Sequence, residues 1–170
     1  LGMVMALISD ALNDTIKSAK DAEEHLRQRA LGYIPKAAKR TNIQQQTFAY
    51  FDEKMRLHSE AVRSIRTSLK LMAIDKPLKV IEVTSSLPGE GKSTVSLNLA
   101  FSFSSSGRVL LIDADMRRPT LGKRLDQPPY QPGLANFLNE SNPLEECIVK
   151  EIKPGVDLMP AGSIPFNPLE

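Results

Sequence analysis

The chain has 170 residues, 41% hydrophobic and 25% charged, with 22 basic and 20 acidic side chains and a formal net charge of +2. That length suits about one domain of roughly 100–200 residues, and the near-balance of charge excludes a polybasic nucleic-acid coat and an acidic disordered tail. A single cysteine, Cys147, excludes an internal disulfide framework. With only His25 and His58 beside it, a metal centre built on thiolate or imidazole is not expected.

Leu1 to Ile8 is an apolar run, LGMVMALI. A membrane span needs about 20 such residues, and a signal peptide would place basic residues ahead of the run. Two readings stand: the start of a soluble helix, or the last turns of a membrane helix. The crowd of Lys17, Lys20, Arg27, Arg29, Lys36, Lys39 and Arg40 against Asp21, Glu23 and Glu24 favours the second. Lys and Arg gather on the cytoplasmic side of a span, although a solvated charged helix has the same composition. The expected layout is the end of a transmembrane helix at 1–9, a membrane-proximal segment and linker at 10–50, and a nucleotide-binding domain from 51 to 170.

Ser18-Ala19-Lys20-Asp21 has the form of a capping box and predicts a helix to about Ala30, ended by Gly32. Tyr33 to Pro35 reads as extended, and Pro35 to about Gln46 as a linker. A long helix is expected from about Asp52 to Ile74, burying His58, Val62, Ile65, Leu69 and Met72 at spacings of three and four. Lys79 to Thr84 is short and β-branched and predicts a strand. A helix follows from Lys92 to about Ser105. Val109 to Ile112 predicts a parallel strand buried on both faces. A loop at Pro128 to Pro132, a short helix around Leu134 to Asn139, and a third strand at Val156 to Met159 complete the reading. The alternation of strand and helix argues for an α/β fold with a parallel sheet flanked by helices.

Ser86-Leu87-Pro88-Gly89-Glu90-Gly91-Lys92-Ser93 matches the phosphate-loop pattern G-x-x-x-x-G-K-[ST] except at Ser86, where the first glycine usually stands. Gly89 and Gly91 let the backbone curl so that successive N–H groups point at one oxyanion. The helix that starts near Lys92 adds its N-terminal partial charge. Lys92 supplies a point charge for the β- and γ-phosphates, and Ser93 a hydroxyl for Mg²⁺. Pro88 to Thr94 is therefore the candidate ATP-binding stretch. The apolar run at 109–112 ends in Asp113-Ala114-Asp115-Met116-Arg117. Carboxylates just past the end of a buried parallel strand sit where α/β sheets bind ligands. Asp113 and Asp115 can hold Mg²⁺ directly or through water. Asp113 can also orient or deprotonate an attacking hydroxyl. For Arg117, a phosphate contact and a structural salt bridge are both open.

A P-loop followed by an apolar strand ending in D-x-D-x-R resembles the paired signature of the bacterial tyrosine kinases of capsule and exopolysaccharide export. Leu111 to Arg117 matches their Walker A′ motif. Glu60-Ala61-Val62-Arg63-Ser64-Ile65-Arg66 is similar to their E-x-x-R-x-x-R element. Less specific likenesses are Gly133-Leu134 to Glu140, Asp157 to Gly162, and Pro165 to Glu170. The resemblance implies a P-loop NTPase-like fold and an ATP- and Mg²⁺-dependent protein tyrosine autokinase with Lys92, Asp113 and Asp115 in catalytic roles. It implies a homo-oligomeric ring through Glu60, Arg63 and Arg66, a membrane co-polymerase partner and a cognate phosphatase. It also implies a place on the cytoplasmic face of the cell membrane and no nucleic-acid partner.

The family's Walker B strand, adenine-binding segment and tyrosine cluster do not occur in these 170 residues. The chain therefore reads as a C-terminally truncated piece with later strands missing, marginal and weakly active alone. Tyr33, Tyr50 and Tyr130 are not assigned as phosphoacceptors. The alternatives are a MinD/ParA-like ATPase or a membrane-linked nucleotide switch without kinase activity. The former carries a signature lysine where this chain has Leu87.

Overall fold

The computed structural model describes residues 23–25, 27–38, 41–75 and 77–163. The chain divides into two units, Leu1–Tyr33 and Ile34–Glu170. In the first, residues 23–25 are helical. The helix expected to reach Ala30 stops short, because Arg27 takes a left-handed conformation with φ 50° that no helix continues. The Ala30 N–H instead donates to Glu23 Oε1 at 2.9 Å. The apolar run at 1–8 and the predicted capping box at Ser18 lie outside the described residues. No helix among the described residues is long and apolar enough to cross a membrane.

The second unit is built round one helix. KSTVSLNLAFSFS is small or apolar on nearly every side, and such a helix belongs inside a core. It forms a helix at Lys92–Ser104, buried from Leu97 to Ser102. In chain order the elements are α1 (Ile43–Thr47), a 3₁₀ turn (Glu53–Met55), α2 (Arg56–Met72), α3 (Lys92–Ser104), β1 (Val109–Ile112), α4 (Leu121–Arg124), α5 (Leu134–Leu138), β2 (Val149–Lys153) and β3 (Val156–Met159). The sheet order is β1-β3-β2. Strands β1 and β3 are parallel, with Val109 opposite Val156 and Ile112 opposite Met159. Leu97, Ala100 and Phe101 of α3 pack on Leu111 of β1 and on Val156 and Leu158 of β3, with Leu121 and Leu125 closing one side.

Several expectations are corrected. The linker at Pro35 to Gln46 contains α1, whose start is set by a reciprocal cap between Asn42 and Gln45. Asn is a preferred N-cap residue. The stripe on α2 runs through Ser59 and Val62, and Met72 is 64% exposed rather than buried. Strand β2 was not expected, and it pairs antiparallel to β3. The turn between them is Pro154-Gly155, with Gly155 at φ 76°, and a Pro-Gly pair is itself a turn signal. Residues 79–84 form no strand, and Val80 is 84% exposed. Strand β1 buries one face only, since Leu110 and Ile112 are 43% and 45% exposed. A strand needs a neighbour to satisfy its ladder, and among the described residues no strand pairs with residues 79–84.

Asn98 fastens the segment before α2 to the buried helix. Its Nδ2 donates to the carbonyls of Gln46, at 2.9 Å, and Thr94, at 2.8 Å, while its Oδ1 accepts from the Tyr50 N–H at 2.7 Å. Asn98 is 2% exposed, so water cannot replace these bonds. Asn98→Ala is expected to cost about 2–4 kcal/mol, because it orphans a buried N–H and a carbonyl together. Chemical denaturation of the intact protein measures it, and a cost under about 1 kcal/mol would show that the tie is dispensable.

Candidate functional site

The site forms where α3 begins and β1 ends. Gly89 and Gly91 take left-handed conformations, φ 84° and 96°, with open space where a Cβ would stand. Only glycine adopts such angles without strain. Gly91 is the N-cap residue of α3, and no side chain caps that end of the helix, so its first N–H groups are available to an anion. Glu90 steadies the loop by accepting the Leu87 N–H on Oε2 at 3.0 Å.

Lys92 and Asp115 meet here. Lys92 Nζ lies 3.0 Å from Asp115 Oδ2, with the two side chains 33% and 27% exposed. The hydrogen bond from Lys92, with further help from the Arg118 N–H and the lysine charge, holds the Asp115 carboxyl below its ordinary value against a smaller opposing effect of burial. A depressed carboxylate stabilises the fold above its unfolded pKa of about 3.9 and loses that contribution as pH falls through the lower folded value. The melting-temperature gap between the native protein and Asp115→Asn is therefore expected at neutral pH and should close below about pH 4. A gap that persists undiminished in strong acid would separate Asp115 from this ion pair.

Asp113 is 5% exposed and organises the loop. Its Oδ1 accepts the Asp115 N–H at 3.2 Å, and its Oδ2 accepts those of Thr120 at 3.1 Å and Leu121 at 2.9 Å. Ser93 Oγ lies 2.8 Å from Thr120 Oγ1. Arg117 is exposed. Lys92, Ser93, Asp113 and Asp115, expected to act together, are thus brought together. Among the described residues no group of three or more His, Cys, Asp or Glu is placed to hold a metal ion. The oxygens that could serve instead are one hydroxyl and two carboxylates beside the uncapped N-terminus of α3. Mg²⁺ takes such sets when substrate phosphates and water complete its shell.

Residues 78–166 match the family model described as an AAA domain. The chain belongs to that AAA domain family. It is 38% identical over 119 residues to the tyrosine-protein kinase YwqD of Bacillus subtilis, covering 69% of this chain and 50% of that one. It is 32% identical to the putative tyrosine-protein kinase EpsB of Ralstonia solanacearum, covering all of this chain and 24% of that one. The solved BceF tyrosine kinase domain superposes with a TM-score of 0.72 at 32% identity, over 90% of this chain and 65% of that one. The chain thus spans about half of YwqD and about a quarter of EpsB. The resemblance to bacterial tyrosine kinases and the P-loop fold class are borne out.

Glu60, Arg63 and Arg66 lie on α2, away from the phosphate loop in sequence, and each meets a partner inside the chain. Glu60 pairs with Arg56 at 3.3 Å. The Arg63 guanidinium stands 5.2 Å over the Tyr50 ring, and its Nε donates to Tyr50 Oη at 3.4 Å. Burial pushes the Tyr50 phenol up, but the bond from Arg63, the Ser102 hydroxyl nearby and the charges of Arg63 and Arg66 outweigh it and leave it below its ordinary value. Arg66 Nη1 donates to the Ser102 carbonyl at 2.5 Å and to Ser105 Oγ at 2.7 Å. It thereby caps the carbonyl end of α3, where a cation is favoured. Thr120, which meets Ser93, was not picked out from the sequence, and a lone threonine after Pro119 carries no pattern that would single it out.

Proposed function

We propose that the intact protein is an ATP-dependent protein tyrosine autokinase that controls polysaccharide polymerisation and export, and that this chain contributes its phosphate-binding half. The observation that carries the reading is the Lys92–Asp115 ion pair at 3.0 Å, which joins the P-loop to the second motif at one point. The tyrosine-kinase names of its relatives support it.

The N–H groups from Gly89 to Thr94 and the Lys92 ammonium hold the phosphate chain. Ser93 and Asp115, with Asp113 behind them, hold Mg²⁺. Bound Mg²⁺-ATP supplies the γ-phosphoryl group and neutralises its charge. Arg117 reaches the phosphates from the exposed side of the loop. Asp113 receives the tyrosine hydroxyl. A carboxylate has about four acceptor positions, and three are taken by backbone N–H groups. Oδ1, which holds one N–H rather than two, is the atom with room for the phenolic proton. Ring assembly uses the α2 face bearing Glu60, Arg63 and Arg66, and Arg66 must then exchange the Ser102 carbonyl for a group on the neighbour. The protein works on the cytoplasmic face of the membrane with a co-polymerase partner and a phosphatase. Residues 1–9 close a membrane helix, 10–50 link it, and 51–170 begin the kinase domain.

Incubating the intact protein with ATP and Mg²⁺ tests the reading. Phosphotyrosine, located by mass spectrometry, is the expected product. ATP turnover without phosphotyrosine would replace the kinase with a nucleotide switch.

A further inference from the structure

Three consecutive side chains at the start of α3 each meet the segment after β1. Lys92 meets Asp115 and Ser93 meets Thr120. The third contact runs from Arg124 Nη1, at the end of α4, to Thr94 Oγ1 at 2.9 Å. It brings into the site a cation that belongs to neither motif. We infer that Arg124 is a phosphate ligand of the nucleotide site and binds the α/β end of the phosphate chain. The inference rests on the P-loop reading and extends it by one residue.

A guanidinium carries five N–H donors. Among the described residues the Thr94 hydroxyl is the one acceptor Arg124 meets, and no carboxylate pairs with it. Its other N–H groups are not sealed inside the protein without partners, so they are open to a ligand. Burial pulls the Arg124 guanidinium below its ordinary value with nothing opposing it. Burying an unpaired charge costs free energy, and an arriving anion removes that cost. Lys92, by contrast, already has Asp115. Guanidinium is also the side chain best matched to phosphate oxygens, through parallel N–H donors. The position decides which phosphate. Thr94 lies two residues past Lys92 in the first turn of α3. There the backbone N–H groups cradle the α- and β-phosphates, while the lysine reaches β and γ. The plainer role is a tie between α4 and α3, and the two roles give different results.

Titrating the intact protein with fluorescent ADP and ATP analogues separates them. Four forms are compared: native, Arg124→Gln, Arg124→Lys and Lys92→Met. Arg124→Gln is expected to weaken ADP and ATP alike by about tenfold, because the lost contact is to phosphates that both share. Its melting temperature without nucleotide should stay close to native. Arg124→Lys keeps the charge without the fork and should lose about threefold on both ligands. It carries the test if the glutamine variant does not fold. Unchanged affinity, or a lowered melting temperature with unchanged affinity, overturns the inference and leaves a structural tie. A loss confined to ATP overturns the α/β assignment. If the native protein binds neither nucleotide, the P-loop reading falls and takes this one with it. If the native protein binds, Lys92→Met is weakened and Arg124→Gln is not, this inference falls alone.

Discussion

Replacing Lys92 with methionine is expected to lower tyrosine phosphorylation by the intact protein about 10²–10³-fold, the usual cost of removing one preorganised charge from a transition state. Lys92 is the first residue of α3 and stands at the positive end of the helix. Its ammonium is fixed by Asp115 at 3.0 Å rather than left mobile. A positioned charge acts on developing phosphate charge without reorganising first. The fold should survive the change. Asp115 is 27% exposed, so its freed carboxylate regains water, and Oδ1 keeps the Arg118 N–H at 3.0 Å. Circular dichroism should stay native and the melting temperature should fall by no more than it does in Asp115→Asn, while phosphotyrosine drops by the stated factor. Retained phosphorylation would remove Lys92 from the chemistry and the kinase proposal with it. Lys92→Arg sharpens the result. Arginine keeps the charge but is bulkier and planar, so recovery below about a tenth of native activity would show that position matters as well as charge.

The phosphate site was legible because its signal is short-range. Gly89, Gly91, Lys92 and Ser93 are neighbours in sequence, and left-handed glycines at a helix start follow from local sterics. The run at 109–112 was read as a parallel strand for a similar reason, and it pairs parallel with β3. What escaped depends on partners far along the chain. Residues 79–84 have strand composition, yet composition cannot say which neighbour a strand will find, and among the described residues no strand pairs with them. Asn98 looked like one more polar residue inside a helix. Its role depends on Gln46 and Tyr50, about fifty residues earlier. Arg66 was read from the family pattern as an assembly residue, and no local pattern foretold its bond to Ser102. Gly133 lies between these cases. It opens a weak Gly-Leu likeness in the sequence, and its reason lies only in the packing.

That packing makes Gly133→Ala a strongly damaging small substitution in the second unit. Gly133 is extended, φ −158°, so its backbone suits any residue, and the constraint is space. A Cβ there would run into the Pro160 carbonyl oxygen and come within 2.6 Å of the Gly162 nitrogen. Both are backbone, and neither can swing aside. The same carbonyl accepts the Leu134 N–H at 2.8 Å, and Ala161 O accepts that of Ala135 at 2.9 Å. These two bonds tie the start of α5 to the chain leaving β3, next to the strand whose end sets Asp113 through Met159 O. Making room for a methyl means parting the two segments. Overpacking costs about 1–3 kcal/mol, and two strained or lost hydrogen bonds add about 1 kcal/mol each. The total, about 3–5 kcal/mol, is a large share of the roughly 5–15 kcal/mol that holds a domain folded. Gly122 is the control. A Cβ at Gly122 would meet Pro160 Cβ at 3.8 Å and Gln127 Cβ at 3.9 Å, ordinary contact distances, and Gly122 is a helical residue of α4. There alanine replaces a poor helix former and should be neutral or slightly stabilising. Thermal melts of the two variants should therefore diverge, Gly133→Ala falling by about 10 °C or more and Gly122→Ala staying within a few degrees of native. A Gly133→Ala protein that melts with the native one would mean that the chain after β3 is free to move away from α5, and Asp113 would then lose its fixed position as well.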